Sequence, residues 1–213
     1  MSWMPDLPVL LAFTLAGLVL FLTPGPDMSL WLARTLAGGR REGLAAMLGT
    51  SVGCLIHATL AAAGISVLVT ASPLAFGALK VTGALYLLWL AWVAVRHGST
   101  FAVEEGRPAG TARGAFLSGL LVNLANPKVV IFFITFLPGF VAAADPHAAQ
   151  KLLVLGLWFV LFNLVLATGL ILMADRVVGA LRRNPRVLRV IDWTFAGVFV
   201  AFAATILKTQ ARA

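Results

Sequence analysis

Asp27 closes the string Thr-Pro-Gly-Pro-Asp, residues 23 to 27, inside an otherwise unbroken apolar run, and Lys128 follows Asn126 and Pro127 inside another. Pro24 and Pro26 have no N–H, so the carbonyls of Leu20 and Leu22 lose their usual helical partners, and an unsatisfied polar group is costly in hydrocarbon. Such a break survives only beside protein or water. Asn126 is a good capping residue and Pro127 suits a first helical turn, so a helix restarts at each break, one at Asp27 and one at Pro127. Two helix N-termini meeting inside a bilayer attract an anionic group such as a carboxylate, while Asp27 and Lys128 add one fixed charge of each sign. A zwitterion fits that combination. An aspartate at the centre of a span costs about 2.5 to 3.5 kcal/mol to insert, and intramembrane acids are usually functional. Asp27 is therefore the leading candidate, for a ligand ammonium group or for a proton. His57, in CLIHATL, is a second candidate for proton coupling because a histidine titrates near neutrality, with a plain hydrogen bond to a neighbour as the alternative.

The elements that must hold these residues are membrane helices. Of 213 residues 61% are hydrophobic and 11% charged, with mean hydropathy +0.98, which a water-soluble surface does not permit. Apolar stretches long enough to span a bilayer occur at roughly 7 to 33, 43 to 70, 74 to 95, 114 to 139, 151 to 174 and 190 to 207. The longest polar connection, 96 to 113, is too short to be a domain. Function therefore sits inside the bilayer. The apolar N-terminus has no Lys or Arg before Arg34 and no small-residue cleavage pattern, so it reads as a retained helix.

Net charge is +8, and its distribution matters more than its total. Eleven arginines fall in three alternate connections: Arg34, Arg40 and Arg41 after the first span, Arg96, Arg107 and Arg113 after the third, and Arg176, Arg182, Arg183, Arg186 and Arg189 after the fifth. Only Lys151, Lys208 and Arg212 fall on the other side. The positive-inside rule puts the eleven in the cytoplasm and both termini outside. Contact with anionic lipid explains the basic excess, and no nucleic-acid partner is expected.

Pro24 and Pro127 are 103 residues apart, and shifting the second span by that amount overlays it on the fifth. The chain reads as a three-helix repeat over 1–95, a cytoplasmic loop over 96–113 and a second three-helix repeat over 114–213. Three crossings per half invert the second half relative to the first, as in many secondary transporters. The fold class expected is thus all-α: a single transmembrane domain of six helices in two inverted repeats, the first and fourth helices broken by proline.

Other polar residues carry plainer expectations. Gly49 and Gly53 form a small-xxx-small face for close helix packing. Trp3, Trp31, Trp89, Trp92 and Trp193 read as interfacial belts, and Lys80 as a side chain reaching for the interface. Asn163 is placed to hydrogen-bond across the bundle, and Asp192 to pair with Arg189 at the surface. Cys54 is the lone cysteine, and with three scattered histidines it gives no metal-ligand spacing. No cofactor is expected.

FLTPGPDM in the first helix, RREGLAAMLGTSVGCLIHATLAAAGI in the second, GALYLLWLAW in the third and NLANPKVVIFFITFLPGF in the fourth resemble the lysine exporter family of amino-acid efflux proteins, in its homoserine and threonine exporter branch. The match covers most of the chain up to residue 140. It implies a six-helix bacterial inner-membrane exporter of amino acids or their derivatives, driven by proton antiport. Carried over position by position, the substrate-binding residues are Pro24, Gly25, Pro26, Asp27, Asn123, Asn126, Pro127 and Lys128. The partners implied are an amino acid, protons and the lipid bilayer, and a homodimer is left open. A membrane-embedded enzyme would need clustered nucleophiles, acids or ligands beside Asp27, and the sequence supplies none. A metal-ion exporter would need several Cys, His or Met ligands on the path. A passive channel of the same architecture stays open, because coupling leaves no mark in a sequence.

Overall fold

Prolines and one glycine decide where the helices stop. In the computed structural model, which describes residues 3–71, 73–97, 110–142 and 145–210, helix α1 (Leu7–Leu22) ends at Thr23. The ring of Pro24 forbids a helical conformation to the residue before it, and Thr23 sits at φ −70°, ψ 111°. Helix α2 (Pro26–Ala71) restarts after the break and runs for 46 residues with one interruption, Gly39 at φ 77°, ψ 175°, a conformation open essentially to glycine alone. Gly39 folds the helix back on itself. Trp31 Nε1 donates to Thr50 Oγ1 at 3.1 Å across 19 positions, which in a straight helix would lie about 28 Å apart. Residues 26–38 and 40–71 are therefore two antiparallel arms. The polar connection expected between residues 34 and 42 is helical apart from that glycine, because both arms run on past the apolar segment and Arg40 reaches across to the Leu172 carbonyl at 3.3 Å.

Helices α3 (Pro73–His97) and α4 (Ala112–Leu124) follow, then the short α5 (Pro127–Ile131), which runs into a π-helical turn over Phe132–Phe136 and a 3-10 turn over Leu137–Phe140. The pair formed by Ala112–Leu124 and Pro127–Phe140 bends by 54° at residues 125–126. Helices α6 (Ala148–Leu172), α7 (Ala174–Arg183) and α8 (Pro185–Gln210) complete the order. α7 fills the arginine-rich segment expected as a loop. Ahead of α6, Asp145 accepts from Lys151 Nζ at 2.6 Å and from the His147 N–H at 2.8 Å, and these two bonds hold its carboxyl below the usual carboxylate range. The all-α expectation holds, and no strand occurs among the described residues.

The outer surface is apolar, unlike that of a protein in water, and a few polar groups lie within the apolar core. Leu7, Leu11, Leu15 and Leu22 along α1 and Val165 on α6 are each more than half exposed, while Asn123, Asn126 and Thr50 are buried. Only an apolar surround accepts that arrangement. By length and composition the stretch Pro26–Gly64, which Gly39 folds into two arms, and the helix Ala148–Leu172 are candidates to cross a membrane, as is the bent pair taken as one span. Two apolar clusters fill the bundle. One is aromatic, around Phe13, Phe132, Phe133, Phe136 and Phe159, with Phe132 and Phe159 ring centroids 4.8 Å apart. The other lies towards the Gly39 turn, around Trp31, Leu32, Met47, Ala167 and Ile171.

The glycine face expected on the second span meets α4. A Cβ on Gly49 would run into the backbone of Phe116, one on Gly53 into the Asn123 side chain, and in return one on Gly119 would run into the backbone of Ala46. Close backbone approach thus locks the second arm of α2 to α4. Trp31 departs from its expected place: it is buried between the arms, where its indole N–H has a partner, whereas Trp3, Trp89, Trp92 and Trp193 are exposed as expected. Asp192 is buried rather than paired at the surface, and among the described residues no ion pair joins it to Arg189. The Lys80 side chain lies outside the described residues, as does Arg107.

Candidate functional site

Both proline breaks have the same backbone form. Asn126, before Pro127, sits at φ −75°, ψ 107°, close to Thr23 before Pro24. The Asn126 side chain accepts from the Lys128 N–H at 3.1 Å, which caps α5 as expected. Because that oxygen is engaged by a donor, the amide nitrogen must point the other way, towards Asp27. It donates to Asp27 Oδ1 at 3.0 Å, and Asn123 Nδ2 donates to Oδ2 at 2.7 Å. The first turn of α2 and the α4–α5 break therefore meet at one carboxylate.

Lys128 does not pair with Asp27 directly. Its Nζ donates to the Thr23 carbonyl at 2.9 Å and to the Leu20 carbonyl at 3.2 Å, satisfying the broken end of α1. Leu20 is one of the two acceptors that Pro24 and Pro26 orphan, so the ammonium substitutes for a missing backbone N–H. A carboxylate offers about four lone-pair sites and an ammonium three donors. With two protein donors on Asp27 and two acceptors on Lys128, each charge keeps bonding capacity for a ligand.

Beside these groups lies a cavity of about 60 Å³ open to the centres of water-sized molecules, lined by Asp27, Gly25 and Thr23 at the break and by Lys128 opposite. It extends along Met28, Trp31, Met47, Thr50 and Ser51 towards the Gly39 turn, with Val160, Asn163 and Ala167 of α6 as its far wall. Space of that size holds several waters. Asn163 lines this cavity and donates to the Phe159 carbonyl of its own helix at 2.8 Å, and among the described residues no bond across the bundle is made by it. The wall is mainly apolar with a few hydroxyls, which suits a small solute with an apolar body and polar ends.

Of the residues singled out in the sequence, Asp27, Asn123, Asn126 and Lys128 are brought together by their side chains. Pro24, Gly25, Pro26 and Pro127 shape the breaks, and a Cβ on Gly25 would approach Lys128 Nζ to 3.2 Å. His57 stands one contact further out. Its Nε2 lies 3.4 Å from the Asn123 carbonyl, which can only accept, so that nitrogen carries the hydrogen, and the ring stacks on Phe133. Among the described residues no group of three or more His, Cys, Asp or Glu is placed to hold a metal ion.

One buried polar group had no clear signal in the sequence. Glu42, only 5% exposed, receives the Gly110 N–H at 2.7 Å and pairs with Arg34 Nη1 at 3.5 Å, while Arg34 Nη2 donates to Ser118 at 3.2 Å. This cluster ties both arms of α2 to α4 at the Gly39 end. In the string RREG, Glu42 looks like one more solvated charge.

A family model described as "LysE type translocator" matches residues 18–210. The homoserine/homoserine lactone efflux protein of Salmonella typhimurium is 28% identical over 199 residues, covering 93% of this chain and 96% of that protein. The protein of the same description from Salmonella typhi is 27% identical over 199 residues, again 93% and 96%. An uncharacterized membrane protein of Vibrio cholerae is 28% identical over 206 residues, 97% of this chain and 100% of that one. No solved structure matches the chain.

Proposed function

The chain belongs to the LysE type translocator family, and on that premise we propose that it exports small amino acids or their derivatives in exchange for protons, with Asp27 and Lys128 reading the two ends of the zwitterion. Members of this family are membrane transporters, not enzymes. The observation that carries the proposal is the pair of opposite charges across one cavity, neither neutralised by the other: Asp27 is held by two asparagine amides and Lys128 by two carbonyls. A zwitterion entering there adds no net charge and meets a partner at each end, which limits its desolvation cost. The substrate ammonium goes to Asp27 and its carboxylate to Lys128.

The efflux relatives support a small zwitterionic substrate such as homoserine; its lactone keeps the ammonium end but offers Lys128 only an ester carbonyl. Ser51 and Asn163 are polar positions on the cavity wall available to a side-chain hydroxyl, whereas the Thr50 hydroxyl is held between Met47 and Trp31. Coupling follows from competition: one carboxylate takes the ammonium or a proton, not both, so loading substrate on one side and a proton on the other gives antiport. His57, bonded to the residue that holds Asp27, is the second candidate on the proton route.

The architecture proposed is six crossings in two inverted repeats, 1–95 and 114–213, joined by the loop 96–113, in a bacterial inner membrane with both termini outside. The matched backbone at Thr23 and Asn126 supports the repeat, and the arginine distribution supports the orientation. The test is efflux from proteoliposomes loaded with a panel of labelled amino acids, with and without an imposed pH gradient. Gradient-dependent homoserine or threonine efflux is expected. No transport of any member removes the proposal, and efflux unaffected by the gradient removes the antiport.

A further inference from the structure

Two asparagines hold Asp27, and only one of them is fixed. Asn126 gives its side-chain oxygen to the Lys128 N–H and its Nδ2 to Asp27 Oδ1, so both ends of that amide are engaged. Asn123 is fully buried and gives Nδ2 to Asp27 Oδ2 at 2.7 Å, yet its Oδ1 has no hydrogen-bond partner among the described residues. A buried amide oxygen left unpaired is unfavourable enough to need a reason. The other neighbours of this amide do not hold it in one orientation. Its oxygen lies against Gly53, where a Cβ would overlap it, and the Cys54 thiol, 3.5 Å from Nδ2, is both a weak donor and a weak acceptor. The two ends of an amide are nearly alike in size, so a half turn needs no new space.

Asp27 alone therefore sets the direction of Asn123. With the carboxylate charged both of its oxygens accept, and both asparagines present an N–H, which is the arrangement observed. A proton on Oδ1 would point at the Asn126 N–H, which cannot turn away. A proton on Oδ2 points at Asn123, and a half turn of that amide brings its oxygen round to accept it. The ionisable groups within electrostatic reach of Asp27 are Lys128 on α5 and His57 and Cys54 on the second arm of α2, and the cavity-lining residues of α1 and α6 bear none. His57 bonds the Asn123 backbone carbonyl and Lys128 the Leu20 and Thr23 carbonyls, so neither competes for the Asn123 side chain.

We propose that Asn123 is a positioning residue that follows the coupling proton: its side-chain amide turns end for end when Asp27 gains or loses a proton at Oδ2, while Asn126 stays fixed. The inference rests on the proton role proposed above for Asp27. Asp27 keeps two hydrogen bonds in both states, so its hold on the α4–α5 break outlasts each exchange of proton for ammonium. The substrate meets Asp27, and Asn123 acts through it.

Infrared difference spectra of the full-length protein in lipid, recorded as the pH is lowered, read both groups. A carboxylic C=O band that Asp27→Asn removes marks the Asp27 proton. In the wild type a side-chain amide C=O band is expected to shift over the same pH interval, and to move when the chain's four asparagines carry carbon-13 at the side-chain carbonyl. Asn123→Leu is expected to lose that shift and Asn163→Leu to keep it. Asn123→Gln is expected to show the shift without sensitivity to the asparagine label, which assigns the band even where the leucine variant fails to insert. An Asp27 carboxylic band with no amide shift beside it overturns the turning amide. So does a shift that survives in Asn123→Leu, or one that keeps its label sensitivity in Asn123→Gln, and gradient-dependent homoserine efflux then leaves the export function standing. Absence of the Asp27 carboxylic band at every pH tested overturns the inference together with the proton role of Asp27.

Discussion

Asp27→Asn separates a binding role from a capping role, because the structure tells how the neighbours will respond. The new amide has one acceptor where the carboxylate has two. Asn126 cannot turn, since its oxygen caps the Lys128 N–H, so it keeps donating to the acceptor side. Asn123 can turn, because its Oδ1 is buried without a partner and its Nδ2 makes only a long 3.5 Å contact to Cys54 besides the bond to Asp27. After that flip both hydrogen bonds persist, and one unpartnered neutral atom replaces another. The net change in stability is expected within about 1 kcal/mol, a melting shift of roughly 2–4 °C for a chain of this length. Insertion is no harder, since an uncharged side chain replaces a charged one. Binding is different. The substrate ammonium loses at least one charge-assisted bond, about 1.5 to 3 kcal/mol, which is roughly ten- to a hundredfold in affinity, and the proton site is lost entirely. Net efflux from proteoliposomes should fall to background while detergent thermal stability stays near wild type. Exchange of labelled for unlabelled amino acid tells the roles apart: exchange that survives assigns Asp27 to the proton, and exchange that dies assigns it to the ammonium. Wild-type efflux with intact proton coupling in well-inserted Asp27→Asn protein refutes both and leaves the aspartate a helix-capping residue.

Glu42→Ala strands Arg34 and the Gly110 N–H, so its thermal stability in detergent should fall by the equivalent of about 3 to 5 kcal/mol, whereas Arg34→Met with Glu42→Leu should recover most of that loss. A mild effect of Glu42→Ala would mean the pair is solvated. Gly119→Val forces a side chain into the backbone of Ala46 and should lower stability by about 1 to 3 kcal/mol or more, with Gly179→Val, which has open space, as the neutral control. Lys128→Met leaves the Leu20 and Thr23 carbonyls without a donor and should lose both transport and stability, about 1 to 3 kcal/mol per carbonyl; unimpaired stability would show that water takes its place. In a Cys54→Ala background, a cysteine at Met4 should react with an impermeant maleimide in intact cells and one at Arg176 only after permeabilisation, and the reverse pattern refutes the orientation.

Composition and patterning alone established the solvent, the helical class and the residues worth testing. An apolar run can satisfy its backbone in hydrocarbon only as helix, so hydropathy reads directly as structure, and Pro24, Pro26 and Pro127 inside such runs end one helix or open the next. The acid after one break and the lysine after the other were visible for the same local reason. What those charges do with each other was not. Asp27 and Lys128 could have paired; instead the carboxylate takes two amides and the ammonium takes two carbonyls, a choice made by which polar groups each broken helix brings within reach of the other. The same limit hid Glu42 and Trp31. A charge or an indole beside a span looks interfacial in one dimension, and only the turn at Gly39, which lays one arm of α2 along the other, puts Glu42 on Arg34 and Trp31 on Thr50. Local sequence settles backbone conformation because its causes are steric and nearest-neighbour. Which polar group satisfies which is settled by contacts between segments as far apart as residues 27 and 123, and only the tertiary packing brings those within reach.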